Sequence, residues 1–413
     1  MSSVTASPPH PQNLLLAAVI VSLVDGVGLG IVLPHVPFFV LELGGSPAVV
    51  AQLVAVFMLS SFLAAPLIGH VSDRSGVRRA LQLTFLGTLI SYAGMMASTT
   101  LAMLFIFRAI GGAMSGREAI LQALISAQSN QAQGVRHVGF VTAAALVGGA
   151  IGPLLAAIVG LFLDDPRQEI TACLAVGMTL TTTAMWLTSR ALPARPPGVA
   201  AAAPTLGMLA NLEVVRALAY PILVRLGLNY GIGLALAVNA MFLHTRFGWR
   251  AENTAWLLAG TTLAGALGRA ALAQSAIRRL GVTATLLIAL GLASAAFLAM
   301  SLSQVAWAYA GFFGAYLLIH NIALICNIMQ TSEAVSGANR GLGFGVVHAA
   351  GAVALAGSAI INGLLFQTVG PTAPYLAAAG VMGLTLILCA GFAFHRTLAS
   401  SKTPQRPVAQ PES

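Results

Sequence analysis

Long apolar stretches separated by short polar breaks run the length of the chain. They fall near residues 13–40, 47–70, 80–98, 101–126, 137–162, 170–189, 218–244, 253–274, 282–302, 304–329, 342–367 and 374–395. Each is about 20 residues or longer, the length a helix needs to cross the ~30 Å hydrocarbon core of a bilayer. Segments of about 10 residues with alternating polarity, the mark of a transmembrane barrel, are not the pattern here. A lipid-facing backbone must satisfy its own hydrogen bonds, so the pattern predicts an all-α integral membrane protein with twelve transmembrane helices.

The longest polar connection follows the sixth stretch and begins Arg190-Ala-Leu-Pro193-Ala-Arg195-Pro196-Pro197. It divides the chain into an N-terminal six-helix half (1–189), a linker (190–217), a C-terminal six-helix half (218–396) and a Ser/Pro/Gln-rich tail (397–413) expected to be disordered. Composition strengthens this reading: 58% of residues are hydrophobic, 8% are charged and the mean hydropathy is +0.88. A soluble domain would carry roughly 25% charged residues.

The net charge of +9 would ordinarily raise nucleic-acid binding. Here the basic residues lie mostly in short loops, and their distribution sets topology instead. With the N-terminus in the cytoplasm, thirteen basic residues face inward and only Arg167, Arg246 and Arg250 face outward. Both termini are therefore expected in the cytoplasm, and no nucleic-acid partner is expected. Cys173, Cys326 and Cys389 stand alone within apolar stretches, with no C-x-x-C and no His at ligand spacing, so no resident metal is expected. The N-terminus lacks the basic start of a cleavable signal peptide.

Two features repeat along the chain. The cluster Asp73-Arg74-Ser-Gly76-Val-Arg78-Arg79 is echoed by Arg278-Arg279-Leu280-Gly281, about 205 residues later. Arg136-x-x-Gly139-Phe140 is matched by Arg340-x-x-Gly343-Phe344, offset by 204. Matching features at nearly one offset predict two halves related by an axis along the membrane normal, with a substrate site between them.

Three motifs carry a resemblance. The loop from Gly69 to Leu81 contains Asp73, Arg74, Gly76, Arg78 and Arg79; the first stretch contains Asp25-Gly-Val-Gly28-Leu-Gly30-Ile-Val-Leu-Pro34-His-Val-Pro37; the fifth contains Gly148-Gly149-Ala-Ile-Gly152-Pro153. Together they resemble the major facilitator superfamily, closest to its twelve-helix drug/proton antiporters, which include the tetracycline exporters. The likeness covers the first half by motif and the second mainly by spacing. It implies the major facilitator fold, a cytoplasmic latch at Gly69, Asp73, Arg74, Gly76, Arg78 and Arg79, and an antiporter motif at Gly148, Gly149, Gly152 and Pro153. It also implies a role for Arg108 in proton coupling.

The residues have physical readings of their own. Asp73 can accept hydrogen bonds from the start of a neighbouring helix, whereas Arg78 and Arg79 are explained as well by topology alone. Gly148 and Gly152, four apart, offer a small-residue face for close packing, and Pro153 kinks its helix. Where the family pattern would continue with two glycines, this chain has Ala156 and Ala157.

Charged residues at membrane depth are costly and mark functional positions. Asp25 lies about 18 Å into the first helix by helical rise, where proton uptake relieves the cost of an ionised carboxylate. It is the leading proton-coupling candidate, the alternative being a fixed pairing with an arginine or with glycine-rich backbone. Arg108, Gly111, Gly112 and Ser115 share one stripe of the fourth helix, and Glu118 beside Arg117 is either a second proton carrier or a local partner for an arginine. In the second half, Arg225, Asn229 and Asn239 in the seventh helix, Tyr316, His320 and Asn327 in the tenth, and His348 in the eleventh are candidates to line a substrate cavity. Arg269 and His35 are weaker cases.

Lysine occurs once, at Lys402, so the phosphate-binding loop of an ATP-driven transporter cannot form, and H-E-x-x-H and G-x-S-x-G are absent. The expected function is secondary transport, with no cofactor beyond the proton gradient and not enzymatic. The third stretch carries Ser91-Tyr92 and the ninth has no acid, which argues against tetracycline as substrate. Arginine outnumbers carboxylate at membrane depth, which suits an anionic or metal-chelating solute such as a siderophore, with a neutral drug second. The chain is thus expected to be a monomeric, proton-coupled exporter of a bacterial inner membrane, with lipid, protons and a small molecule as partners. A proton symporter importing a nutrient, and a transport-inactive receptor or assembly factor, are the alternatives.

Overall fold

The computed structural model describes residues 11–117, 120–121, 124–125, 131–163, 165–192, 212–335 and 340–401. Most of the expected linker and tail, together with Glu118 and the side chains of Arg269 and Arg340, lies outside these residues. Among them are fourteen helices and no strand. The first half contains α1 (Pro11–Val32), α2 (Val36–Glu42), α3 (Pro47–Ser75), α4 (Val77–Met96), α5 (Leu101–Ala113), α6 (Gln131–Gly160) and α7 (Pro166–Ala191). The second contains α8 (Leu212–Ala237), α9 (Asn239–Phe247), α10 (Ala251–Leu280), α11 (Val282–Leu302), α12 (Ala306–Ala334), α13 (Arg340–Thr368) and α14 (Ala373–Ser401).

Each of the twelve expected spans has a helix. The first is broken into α1 and α2, the seventh into α8 and α9. Pro34 falls in the first break, residues 33–35, and supplies no backbone donor. Nine helical stretches among the described residues are long and apolar enough to cross a membrane, and Leu101–Ala113 is a shorter apolar helix. Large side chains such as Leu63, Leu67, Ile387 and Phe394 point outward, as a lipid-facing surface requires.

Helix ends follow local chemistry. The Thr100 hydroxyl accepts from Met103 N at 3.3 Å to open α5, and the Asp165 carboxylate accepts from Gln168 N at 3.3 Å ahead of Pro166 in α7. Gly76 between α3 and α4 has φ +88°, and Gly281 between α10 and α11 has φ +79°. Both turns need a left-handed residue, so the sequence echo at offset 205 is also a backbone echo. The breaks between α1 and α2 and at Val238 between α8 and α9 occupy matching places in the two halves.

α1 packs most closely on α6 and α8 on α13, again in matching places. The halves meet through α3 against α13 and α6 against α10. A large core containing residues of both halves, among them Val50, Leu53, Ala156, Leu243 and Ala255, fills the middle and the far end, and within the second half it reaches Tyr220 and Cys389 toward the termini. Toward the termini, each half has a separate core: one around Leu14, Leu81 and Leu121, the other around Leu218, Val335 and Val347. The described side-chain bonds between halves lie at the far end: Ser46 Oγ donates to Gln367 Oε1 at 2.9 Å, and Arg250 Nη2 to Glu169 Oε1 at 3.0 Å. Among the described residues, the two halves therefore share a core and two side-chain bonds at the far end, while the clusters around Leu81 and around Val335 at the termini end are separate.

Candidate functional site

In the first half, glycines bring α1 against α6. A Cβ on Gly148 would lie 2.1 Å from the Leu23 carbonyl oxygen, one on Gly152 would lie 2.6 Å from that of Val27, and one on Gly30 would lie 2.7 Å from Pro153 Cδ. Gly149 has nothing within 4 Å of such a Cβ. Three of these positions are thus required by backbone contact, and the fourth is free of it. This packing sets Asp25, one residue before Gly26, toward the interior of the half.

There Asp25 meets Arg117. Arg117 Nε donates to Asp25 Oδ1 at 2.6 Å, and Nη2 contacts the same oxygen. Nη1 donates to Thr88 Oγ1 at 2.8 Å, to the Thr84 carbonyl at 3.1 Å and to the Met114 carbonyl at 3.2 Å, while the Phe85 ring lies 5.0 Å from the guanidinium. α5 ends at Ala113, and the helical pattern resumes at Arg117. That break leaves the Met114 carbonyl available to the arginine. Of the two alternatives open for Asp25, this arrangement realises a pairing with an arginine, and the arginine is Arg117.

Arg108 is placed differently. It is 6% exposed, lies 4.2 Å from the centre of the Phe57 ring, and its Nε is buried without a partner. Gly112 allows α5 to approach the backbone of Phe57, and Ser115 Oγ lies 2.7 Å from Ser61 Oγ. No carboxylate pairs with Arg108 among the described residues. Tyr92 donates to the Gly28 carbonyl at 3.0 Å, tying α4 to α1 three residues beyond Asp25.

The second half gathers Arg225, Asn229, His320 and His348. Gly351 of α13 packs against the Arg225 and Asn229 side chains, and Arg225 is the charged neighbour of both His320 and His348. The Tyr316 ring lies 5.9 Å from that of His320. Arg225 Nε, Tyr316 Oη and His320 Nδ1 are buried and unpartnered. Among the described residues Arg225 has no carboxylate partner either. The other two candidates are committed elsewhere: Asn327 Nδ2 donates to the Pro221 carbonyl at 2.8 Å, and Asn239 binds Tyr309, whose hydroxyl is 2.7 Å from that of Tyr375.

The junction of α3 and α4 exposes Asp73, Arg74 and Arg79 at the termini end, and Gly69 has open space around it. A feature that sequence reasoning missed lies at the opposite end. Glu169, fully buried in the first turn of α7, has His35 Nδ1 at 3.4 Å and Arg250 of the other half at 3.0 Å. Arg250 counted only as an outer-loop charge, and Glu169, between the fifth and sixth apolar stretches, was assigned no role. No spacing rule links residues 81 positions apart.

The comparisons with known proteins agree with this architecture. A family model described as Major Facilitator Superfamily matches residues 18–338. The class C tetracycline resistance protein of Escherichia coli is 30% identical over 152 residues, covering 36% of this chain and 38% of that protein. The chain thus matches well under half the length of that relative. The solved structure of the nucleoside transporter NupG superposes with a TM-score of 0.74 at 14% identity, covering 92% of this chain and 98% of that one. That of the human organic anion transporter MFSD10 superposes with a TM-score of 0.59 at 18% identity, covering 92% and 100%.

Proposed function

The chain belongs to the major facilitator superfamily, and from that premise we propose that it is a proton-coupled exporter of small organic anions or metal-chelating compounds. One observation carries the substrate class: the carboxylate of Asp25 goes to Arg117, which leaves Arg108 in one half and Arg225 in the other without an acidic partner among the described residues. A buried cation is costly unless something neutralises it. A solute with a carboxylate, catecholate or hydroxamate group supplies that charge and bridges the halves. The likeness to a protein described as an organic anion transporter supports the same class.

Exchange requires that solute and proton exclude each other. In this reading the anionic group of the solute addresses Arg225, His320 and Arg108, while one of its hydroxyl or N–H groups donates to ionised Asp25. A proton on Asp25 blocks that contact and releases the solute. In this reading both termini lie in the cytoplasm, the separate clusters at the termini end face inward, and the solute is loaded from the cytoplasm. The similarity to tetracycline resistance proteins supports outward transport across a bacterial inner membrane. Deprotonation of Asp25 restores the pair with Arg117 and resets the carrier.

The Asp25–Arg117 pair also favours a second reading. A proton on Asp25 frees the Arg117 charge and makes the first half more positive, which strengthens anion binding and yields co-transport. Proton exchange on solute addition separates the two. Purified protein in weakly buffered detergent, challenged with a panel of siderophores and carboxylate antibiotics, releases protons under exchange and takes them up under co-transport. Binding with no proton movement in either direction, unchanged in Asp25→Asn, would remove proton coupling from both readings.

A further inference from the structure

A cavity of about 340 Å³ lies at the termini end of the second half, between α8, α11, α12 and α14. Its walls include Ala217 and Pro221 of α8, Thr283 of α11, Gln330 and Glu333 of α12, and Phe392 of α14. It is separate from the Arg225 cluster, which lies deeper along α8. A volume of this size falls within the range of small-molecule sites, about 300–1,000 Å³.

What distinguishes the cavity is unpaired polarity. Gln330 is 8% exposed, and both its Nε2 and its Oε1 are buried with no partner. A buried amide left without hydrogen bonds costs roughly 1–3 kcal/mol for each unsatisfied group. Pro221, inside α8, supplies no N–H to the carbonyl four residues earlier, which belongs to Ala217. The side-chain carboxylate of Glu333 stands exposed on the same wall.

The corresponding described residues of the first half are packed differently. With the offset of 205, Gln330 corresponds to Ile125, and Tyr220 and Pro221 to Leu15 and Leu16. The offset holds locally, since α5 starts after Thr100 and α12 after Val305. Ile125 is buried in a continuous core with Leu14, Leu81 and Leu121, against which Leu15 packs. The polar side chain there, Gln82, is satisfied: its Nε2 donates to the Met185 carbonyl and to Thr188 Oγ1, both at 3.0 Å. Among the described residues, the first half thus has a packed isoleucine where the second has an unsatisfied amide beside a cavity.

We infer that this cavity is a second binding site, for a small planar molecule that carries a hydrogen-bond acceptor and an N–H on adjacent atoms, as a lactam or aromatic carboxamide does. A glutamine amide presents one donor and one acceptor side by side, and only a ligand with the complementary pair satisfies both at once. The edge-to-face pair of Tyr220 and Phe392, with ring centroids 6.0 Å apart, gives the site an aromatic wall suited to a flat ring. Glu333 accepts from a further N–H on the ligand, and the Ala217 carbonyl offers another acceptor. An occupant joins α8 to α12, the two helices that carry Arg225 and His320, and so holds the termini end in one arrangement. The inference is independent of the direction of transport.

Saturation-transfer NMR on the full-length protein in detergent tests it, with 2-pyridone as probe and N-methyl-2-pyridone, which lacks the N–H, as control. Transfer to 2-pyridone is expected, weakening about fivefold for the methylated control through the loss of one hydrogen bond. Gln330→Leu should abolish it while melting no lower than wild type, since the change removes an unpaired amide. Ala217→Phe, which fills the cavity, should abolish it too and serves if Gln330→Leu does not fold. Arg225→Gln should leave the signal in place, which separates this site from the central one. No transfer with wild type, equal transfer to both probes, or transfer retained in Gln330→Leu and Ala217→Phe would overturn the inference.

Discussion

Arg117 Nε donates to Asp25 Oδ1 at 2.6 Å, joining residues 92 positions apart on the first and fourth spans. The arginine's Nη1 is also held by Thr84, Thr88 and Met114, independently of the aspartate. Arg117 therefore stays anchored when its contact with Asp25 is lost. This asymmetry suits a coupling residue better than a purely structural ion pair.

Replacing the two partners should accordingly have unequal effects. Arg117→Ala leaves a carboxylate buried and strips three backbone and hydroxyl contacts, and it should cost about 3–5 kcal/mol of stability, read as a fall in melting temperature in detergent. Asp25→Asn keeps a hydrogen-bonding side chain and should fold normally, yet, as a mimic of the protonated carboxyl, it should lose proton-coupled transport and weaken solute binding under exchange, and keep solute binding under co-transport. Equal destabilisation by the two variants would contradict the argument.

The glycines between α1 and α6 should separate by contact rather than by motif. Gly148→Ala places a methyl group 2.1 Å from the Leu23 carbonyl oxygen and should destabilise the protein by about 1–3 kcal/mol. Gly149→Ala meets nothing within 4 Å and should be tolerated. Thermal melting and yield of monodisperse protein give the comparison, and reversed sensitivities would show that the packing is not as described.

At the far end, Glu169 and Arg250 hold the halves together, with His35 on the other carboxylate oxygen. Arg250 is 43% exposed at its side chain, so their coupling should be about 1 kcal/mol rather than the full value of a buried pair. Spin labels at positions 46 and 367, where Ser46 and Gln367 are hydrogen-bonded, should report one short distance in wild type. Glu169→Gln and Arg250→Ala should each add a longer population, and the double variant should add little more. Unchanged distances in both single variants would show that the apolar seam alone closes this end.

Arg225 offers a trade between stability and function. With no carboxylate among the described residues to neutralise Arg225, Arg225→Gln should melt no lower than wild type, yet lose at least about tenfold in affinity for anionic solutes. Binding of a radiolabelled siderophore or carboxylate antibiotic gives the measurement. Retained affinity would place the anion elsewhere.

Apolar stretches of membrane length determined the helices, and the echo of Gly76 in Gly281 determined that the chain repeats itself, because a left-handed turn residue and a bilayer-spanning length are local requirements that each segment must meet alone. The same local chemistry marked Asp25, Arg108 and Arg225 as costly at membrane depth. Which arginine neutralises Asp25, that Glu169 reaches Arg250, and that Gln330 faces a cavity where Ile125 faces leucines were decided only by tertiary structure. Periodicity tells which residues share a face of one helix. It carries no record of which face of another helix packs against it, and partners 81 or 92 positions apart are set by that packing alone.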